Sequence, residues 1–265
     1  MTLSEIWIYP VKSLGGIRVT RADVQEKGLK YDRRWMIVDE DGVFITQRVF
    51  PKMALIDVAL TSEGLLLSYR PDKSQAVSVP FEPISKLPIS VKVWDDQVDA
   101  LTVSDEADAW LSAQLAKKLR LVIMPESTLR KADPKYAKNN ENVSFADGFP
   151  FLIISQASLD HLNNLLAEPI EMRRFRPNFV VTDTEPHGED HWKLIQIGTI
   201  RFELVKPCAR CVLTTIDPET AQKGPEPLKT LANYRRINNK ILFGQNLVAK
   251  ESGPINQGDD IRVLL

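Results

Sequence analysis

The chain has little cysteine and no long apolar run. Only two of its 265 residues are cysteine, and that number is too small for a disulfide scaffold in a chain of this length. No stretch approaches the roughly 20 consecutive apolar residues that cross a bilayer. The first residues include Glu5 and lack both the positive charge and the apolar run of a signal peptide. We therefore expect a cytoplasmic protein without a membrane partner.

A surplus of charge of one sign is also lacking. The 34 Lys and Arg residues nearly balance the 35 Asp and Glu residues, for a formal net charge of -1. Such a chain has no overall positive potential that would attract nucleic acid, so we expect no nucleic-acid partner. The glycine-rich fingerprints of nucleotide sites and phosphate loops are missing as well, which removes the usual nicotinamide and flavin sites. Any cationic chemistry must therefore be local.

What the sequence does contain is the pattern of a β-rich globular protein. Hydrophobic residues make up 43% and charged residues 26% of the chain, a mixture typical of folded domains. Over the first hundred residues, apolar positions alternate with period two and turn signals separate them. This pattern favours an antiparallel barrel or sandwich, with predicted strands at 34–38, 54–60, 64–69 and 89–94.

The remainder of the chain mixes helices with further strands. Ser104 is suited to cap a helix over 104–118, whose apolar residues recur at helical spacing. A second helix is predicted over about 158–168, with Ser155 or Ser158 as its cap. The other predicted elements are a short helix at 227–236 and strands at 179–181, 195–197, 200–205 and 212–216 and, near the C-terminus, through Leu247 and Val263.

A polar stretch at 128–142 stands apart from these elements and is predicted to be a long, mobile loop. The first convincing helix appears only after about residue 100, and no repeat, low-complexity tract or linker divides the chain. We therefore predict a β-rich α/β chain with two modules. An all-β N-terminal module comprises residues 1–120, and a β-rich α/β module comprises residues 121–265.

The two cysteines, Cys208 and Cys211, form a C-x-x-C pair between two predicted strands, so both thiols are expected at a turn. A dithiol oxidoreductase places its attacking cysteine at a helix N-terminus, and this context argues against one. His187 and His191 could complete a zinc site of two Cys and two His, although the ligand order is inverted relative to a zinc finger. A buried structural cysteine with an idle neighbour is also possible. Residue chemistry alone indicates a redox or metal site at this pair.

Four short motifs occur in one order along the chain: IYPVKS at 8–13, DRRW at 32–35, FRPN at 175–178 and CARCVLTTIDP at 208–218. In order and separation they resemble the MOSC family, in particular the mitochondrial amidoxime-reducing component and the bacterial MOSC proteins that reduce N-hydroxylated bases. The resemblance covers essentially the whole chain. It implies an N-terminal MOSC β-barrel domain at 1–120 and a MOSC molybdenum-cofactor-binding domain at 121–265, with a β-barrel core and flanking helices.

The resemblance also implies the site residues. In the family, the second cysteine of the C-x-R-C turn is the protein ligand of molybdenum, which makes Cys211 the metal ligand and the catalytic position; a soft thiolate suits a sulfur-rich metal. The phosphate and pterin of the cofactor would be held by cations and amides. By resemblance these are Lys12, Ser13, Arg33, Arg176, Asn178 and Arg210.

Taken one at a time, the same basic and polar residues would be read as surface charges or strand-end caps. As exposed groups, their replacement is expected to change the stability of the cofactor-free protein by about 0.5 kcal/mol or less while lowering cofactor occupancy. The segment FADGFP at 145–150 resembles a further family motif. It adds the backbone near Gly148 and Phe149 to the candidate contacts.

The implied activity is that of an oxidoreductase, independent of pyridoxal phosphate, that uses the molybdenum cofactor to reduce amidoximes and N-hydroxylated bases in detoxification. Bacterial relatives often continue into a ferredoxin-type domain, and we expect none in this protein. Two cysteines cannot hold a four-thiolate iron–sulfur cluster. We therefore expect the electrons to come from a separate protein, a ferredoxin-like protein or a flavin reductase.

Two alternatives remain open for Cys211. It could carry a persulfide, as in the MOSC domains of cofactor sulfurases, although those proteins attach the domain to a large pyridoxal-phosphate module. It could also belong to a non-catalytic module that binds the cofactor.

Overall fold

A computed structural model describes residues 1–265, and strands dominate it. In chain order the strands are β1 Thr2–Ile8, β2 Ile17–Val19, β3 Arg21–Gln25, β4 Gly28–Leu29, β5 Trp35–Val38, β6 Ile56–Leu60, β7 Gly64–Tyr69, β8 Asp72–Pro80, β9 Pro88–Val93, β10 Asp96–Thr102, β11 Arg120–Ile123, β12 Phe151–Ser155, β13 Phe179–Thr182, β14 Leu194–Ile197, β15 Ile200–Ala209, β16 Arg236–Ile237, β17 Lys240–Ala249, β18 Gly253–Asn256 and β19 Ile261–Val263. The prediction of a β-rich fold is confirmed.

The strands form four sheets. The largest has the order β19-β14-β15-β17-β12-β13-β1-β2, with β16 paired to β17. The smaller sheets are β5-β11-β10-β9, β18-β3-β4 and β6-β7-β8. Neighbouring strands are antiparallel throughout, except for the parallel pair β12 and β13. No helix is long and apolar enough to span a membrane.

Both predicted modules contribute to shared sheets. Strand β1 pairs with β13, and β3 pairs with β18. The N-terminal strand thus belongs to the same large sheet as the strands that follow residue 150. A division at residue 120 stays a prediction, because hydrogen-bonded pairs join the chain on both sides of it.

Three α-helices flank the sheets: α1 Asp105–Leu115, α2 Gln156–Asn163 and α3 Leu228–Tyr234. Ser104 caps α1 and accepts a hydrogen bond from the Ala107 amide at 3.2 Å, as predicted. That helix ends three residues early because Ala116 adopts a left-handed backbone. Ser155 caps α2, which ends at Asn163 rather than near residue 168.

One predicted strand is wrong. Residues Val212–Thr215 form a 3-10 helix, although their β-branched side chains favoured a strand at 212–216. The hydroxyl of Thr214 donates to the Cys211 carbonyl at 3.0 Å, and that of Thr215 donates to the Val212 carbonyl at 2.8 Å. Such local hydroxyl bonds compete with strand pairing, and here they stabilise a single tight turn.

The polar stretch at 128–142 has no helix or strand, as predicted, but it is anchored rather than loose. Arg130 is 5% exposed, and its guanidinium donates to the carbonyls of Ser144 and Ala146 at 2.8 and 2.6 Å. Lys131 and Asn142 form an isolated bridge. These bonds hold the stretch against the segment that leads into β12.

Candidate functional site

All seven residues predicted at the site line one cavity of about 310 Å³: Lys12, Ser13, Arg33, Arg176, Asn178, Arg210 and Cys211. The sheet topology brings them together. Strand β1 ends at Ile8, close to the point where its antiparallel neighbour β13 begins at Phe179, so the segments outside these two strand ends meet. Their individual roles remain predictions.

Positive charge dominates the cavity wall. A single carboxylate, that of Asp147, faces seven cationic side chains: Lys12, Arg33, Arg48, Arg174, Arg176, Lys206 and Arg210. Like charges held together away from bulk water repel one another. A bound anion would relieve that repulsion, so the cavity favours an anionic ligand.

Lys12 lies at the base of this charge cluster and is 4% exposed. Its ammonium donates to the Phe145 carbonyl at 2.7 Å and to Asp147 Oδ1 at 2.6 Å. Burial lowers the pKa of Lys12 to about 8. Desolvation within the cavity would raise the pKa of Asp147, whose side chain is still 60% exposed, but the charges of Lys12 and Arg48 hold that pKa well below its usual range. Asp147 is therefore ionised at neutral pH, and Lys12 loses its proton slightly above neutral pH.

Asn178 acts through its neighbours. It is 1% exposed, and its side-chain oxygen accepts from Arg33 Nη1 at 3.3 Å and from the Leu152 amide at 3.2 Å. Its side-chain nitrogen donates to the Trp7 carbonyl at 3.1 Å. Arg33 Nη1 also donates to the buried Asp32 carboxylate at 2.6 Å. The side chain of Asn178 thus forms most of its hydrogen bonds with the backbone of neighbouring strands and with Arg33, which it orients.

Arg176 and Arg210 each have a buried guanidinium nitrogen without a hydrogen-bond partner. Arg176 Nη1 donates to the Leu14 carbonyl at 2.7 Å. Arg210 Nε and Nη1 donate to the carbonyls of Phe243 and Phe175 at 2.8 and 2.9 Å. The Nη2 atom of each guanidinium is buried without a hydrogen-bond partner. A buried donor without an acceptor is costly, so an acceptor inside the cavity would complete both groups.

These contacts argue against one expectation from the sequence. The arginines are not isolated exposed charges, because each also bonds a main-chain carbonyl. Truncating one would leave that carbonyl unpaired, at a cost of about 1–3 kcal/mol. The residues hold the fold and present donors to the cavity at the same time.

Three of the predicted residues adopt a left-handed backbone: φ is 67° at Ser13, 49° at Arg33 and 54° at Arg176. Residues other than glycine rarely adopt this conformation, and each instance costs on the order of 1–3 kcal/mol. Such strained positions concentrate where side chains must be aimed. All three occur on the cavity wall.

The two cysteines have different surroundings. Cys208 lies at a bulge between Pro207 and Ala209 in the pairing of β15 with β17, and it packs against an apolar cluster that includes Phe243. Burial raises the pKa of the Cys208 thiol. Cys211 follows β15 and is exposed. Contrary to the prediction that both thiols lie at a turn, only Cys211 lies outside a strand, and it is the thiol open to a ligand.

The zinc hypothesis is wrong. No group of three or more His, Cys, Asp or Glu side chains is placed to hold a metal ion, so His187 and His191 do not join the cysteines. The ring of His187 instead packs against Tyr234 and Phe243, with centroid distances of 5.7 and 5.8 Å. Burial lowers the pKa of His187 to about 4, which keeps it neutral.

Four charged residues of the cavity were missed from the sequence: Arg48, Asp147, Arg174 and Lys206. Arg48 Nε is buried without a partner, and Arg48 Nη2 lies 3.4 Å from Asp147. No motif marks Arg48 or Lys206. Asp147 lies within the FADGFP segment, where only the backbone near Gly148 and Phe149 had been selected; both of those residues line the cavity.

Sulfate is expected to stabilise the cofactor-free protein against heat, and the effect should decline as the pH rises above about 8. A ligand that binds only the folded state raises Tm. Because burial lowers the pKa of Lys12 to about 8, its charge and its attraction for the anion are lost above that pH. Without sulfate, the contribution of Lys12 to stability changes with pH in the opposite direction. Between about pH 8 and pH 10.5, Lys12 is protonated in the unfolded chain but not in the folded chain. The contribution of Lys12 to the free energy of unfolding therefore rises with pH over this range.

The measurement is the difference in Tm between sulfate and chloride at equal ionic strength, which removes general screening. Lys12→Met is the matched control and should show a smaller and flatter difference. An equal sulfate effect at about pH 7 and about pH 9.5 would contradict the assignment of Lys12 as an anion-binding group with a lowered pKa.

The fold and cavity define a β-rich protein with a cationic cavity beside an exposed thiol. Residues 1–118 match the family model of the MOSC N-terminal beta barrel domain, and residues 140–262 match that of the MOSC domain. The chain is 31% identical to mitochondrial amidoxime-reducing component 1 of Mus musculus, over 99% of this chain and 82% of that protein. It is 35% identical to mitochondrial amidoxime reducing component 2 of Rattus norvegicus, over 98% and 82%.

A further relative is larger. The chain is 32% identical to the molybdenum cofactor sulfurase of Danio rerio, over 92% of this chain but 31% of that protein. The chain belongs to the MOSC family, with both the N-terminal barrel and the MOSC domain. The resemblance found in the sequence is confirmed.

Proposed function

We propose that this protein is a molybdenum-cofactor-dependent oxidoreductase that reduces N-hydroxylated compounds, such as amidoximes and N-hydroxylated bases. One observation carries the proposal: the exposed Cys211 lies on the same cavity wall as buried guanidinium nitrogens of Arg176 and Arg210 that have no partner. A soft ligand and an anion-binding site within one cavity match the two ends of a pterin-phosphate metal cofactor.

The residues present fit that cofactor. Cys211 would ligate the metal through its thiolate, the form in which cysteine binds metals. Arg176 and Arg210 would donate their free Nη2 hydrogens to the phosphate or to polar pterin atoms, and Lys12 would add a buried positive charge. Charge-assisted hydrogen bonds of this type are roughly twice as strong as neutral ones. Ser13 and Arg33 stand beside Lys12 on the wall.

The reduction takes up two electrons and two protons, breaks the N–O bond and releases water. When bound, the cofactor supplies the two-electron redox chemistry. The chain holds the cofactor and leaves one side of the Cys211 position open to solvent. A small substrate can therefore approach there, and solvent can supply the protons.

The protein alone is expected to be inert with NADH or NADPH, because it has no nucleotide-binding fingerprint and too few cysteines for an iron–sulfur cluster. With reduced viologen as a chemical donor, the molybdenum-loaded protein should convert benzamidoxime to benzamidine. The measurement is the amount of amidine formed with each donor. Turnover with NADH alone would show a reductase site that this proposal lacks, and inactivity of loaded protein with viologen would contradict it.

A second candidate function is supported by the similarity to a molybdenum cofactor sulfurase. In that case Cys211 would carry a persulfide sulfur rather than ligate the metal. The two functions differ in the chemical state of the Cys211 sulfur. A persulfide reacts with alkylating reagents and releases sulfide on reduction. A metal-bound thiolate is protected from alkylation and releases no sulfide. A cytoplasmic location and a role in detoxification stay predictions.

A further inference from the structure

Exposed apolar side chains belong to residues of the cavity wall or to residues next to them in the chain. Val49 is 71% exposed and Val212 is 55% exposed. Pro207 and Ala209 are exposed as well and line the cavity. Val212 follows Cys211 directly, and Val49 follows another residue of the cavity wall. These four residues, Val49, Pro207, Ala209 and Val212, are called the mouth patch.

Cations border the mouth patch. The ammonium of Lys223 donates to the Arg48 carbonyl at 2.9 Å, which places Lys223 beside Val49 and ties the turn around residue 48 to the segment that follows Cys211. Lys223 is exposed, and no carboxylate lies within ion-pair distance of it. Arg48 and Lys206 contribute side chains that are 22% and 27% exposed.

The field at the mouth stays positive after an anion binds. Seven cations and one carboxylate line the cavity, and Asp32, Asp217 and Asp133 pair with three of these cations from outside the lining. The remaining surplus of three positive charges exceeds the about -1.5 to -2 charges of a bound phosphate group. A cleft with low-dielectric walls focuses such a field outward and raises the association rate of an oppositely charged partner. The mouth therefore attracts acidic surfaces.

We propose that the mouth patch and Lys223 form the docking surface for an electron-donor protein whose redox group lies beneath an acidic surface. The proposal rests on the proposed function, because it concerns the source of the electrons. Two electrons pass to the site at Cys211, from one two-electron donor or from two successive one-electron donors, which are oxidised. Together with two protons from solvent they convert the N–OH group of the substrate to N–H and release water. An apolar centre with a charged border is the usual anatomy of a protein interface, and its small extent suits a partner that must leave after each transfer.

A second copy of the chain is a poor occupant of this surface. It would bring an identical cationic mouth into contact with the first, and like charges at an interface are unfavourable. The N-hydroxylated substrate is the other possible occupant. Kinetics with two kinds of donor separate these roles, because a chemical donor needs the substrate to bind but needs no protein docking.

The test uses the loaded protein with benzamidoxime and either reduced viologen or a reduced ferredoxin of net negative charge. Val49→Glu and Lys223→Glu should each raise the KM for ferredoxin by about tenfold, since they place negative charge in the interface. Viologen-driven turnover and the KM for benzamidoxime should be unchanged. Val49→Lys keeps the sign of the surface and should retain ferredoxin-driven turnover.

Ile84→Glu is the matched control. Ile84 is 73% exposed, and unlike Val49 it has no chain neighbour on the cavity wall, so the same change of charge there should leave the KM for ferredoxin unaltered. A rise in the KM for benzamidoxime with viologen in Val49→Glu would assign the patch to the substrate and overturn the proposal.

A second readout needs no turnover. Oxidised ferredoxin titrated into the cofactor-free, isotope-labelled protein should shift the NMR signals of Val49, Val212 and Lys223, and the affinity should fall steeply with salt. Shifts confined to other surfaces, or no binding at low salt, would overturn the docking proposal even if viologen-driven turnover is present. Absence of viologen-driven turnover with normal ferredoxin binding would instead contradict the proposed function.

Discussion

Replacing Cys211 by alanine is expected to reduce turnover with a chemical donor to the background level, a loss on the order of 100-fold or more. Removing groups that merely support a metal ligand already costs about 10–100-fold, and Cys211 is the exposed thiol of the cavity. The metal would lose its protein ligand, while the cationic wall would still attract the phosphate. Molybdenum content and viologen-driven turnover are the two measurements.

Cys208→Ala is the matched control for that result. Cys208 is partly buried and packs with the apolar cluster that includes Phe243, so its truncation should cost some stability and leave most of the metal bound. If both variants lose molybdenum equally, the two thiols are equivalent and the assignment of Cys211 as the ligand is wrong. Full turnover in Cys211→Ala would also show that Cys211 is not the metal ligand.

Arg176→Met and Arg210→Met are each expected to weaken cofactor binding by about 10–100-fold, corresponding to one lost hydrogen bond between charged groups, about 1.5–3 kcal/mol. Each guanidinium directs a buried Nη2 without a protein partner from the wall of the cavity. Each also bonds a main-chain carbonyl. The cofactor-free variants should therefore lose stability as well, by about 1–3 kcal/mol.

The two effects are separated by measuring cofactor occupancy only on the folded fraction, alongside urea unfolding of the cofactor-free protein. Arg201→Met is the control, because Arg201 lies on β15 but pairs with Glu251 at the surface, with a side chain that is 53% exposed. That variant should change neither quantity by more than about 0.5 kcal/mol. Normal cofactor occupancy in the folded fraction of Arg176→Met and Arg210→Met would contradict this prediction, because the two arginines would then stabilise the fold without binding the cofactor.

Periodicity predicted those parts of the fold whose sequence pattern is local. Strand β7 has the predicted bounds Gly64–Tyr69, and the cap at Ser104 is where the sequence indicated. Strand β12, Phe151–Ser155, was missed because its first four residues are apolar and both of its faces are buried, so it has no alternation to detect. The 3-10 helix after Cys211 was missed because hydroxyl-to-backbone bonds overrode a strand-like composition.

The site could be predicted from motifs but not from local chemistry. Lys12 and Arg176 are far apart in sequence, and only the antiparallel pairing of β1 with β13 brings their segments together. The family resemblance supplied that information in advance. Arg48 belongs to no motif, and its place on the cavity wall follows from tertiary packing alone.

Metal and pterin analysis of the protein purified from a host that makes the molybdenum cofactor tests the central claim most directly. The account predicts molybdenum in nearly equimolar amount with the protein, together with one extractable pterin phosphate, and loss of both in a variant that combines Cys211→Ala with Arg176→Met. Protein that is folded and stable but contains zinc, or contains neither metal nor pterin, would contradict it.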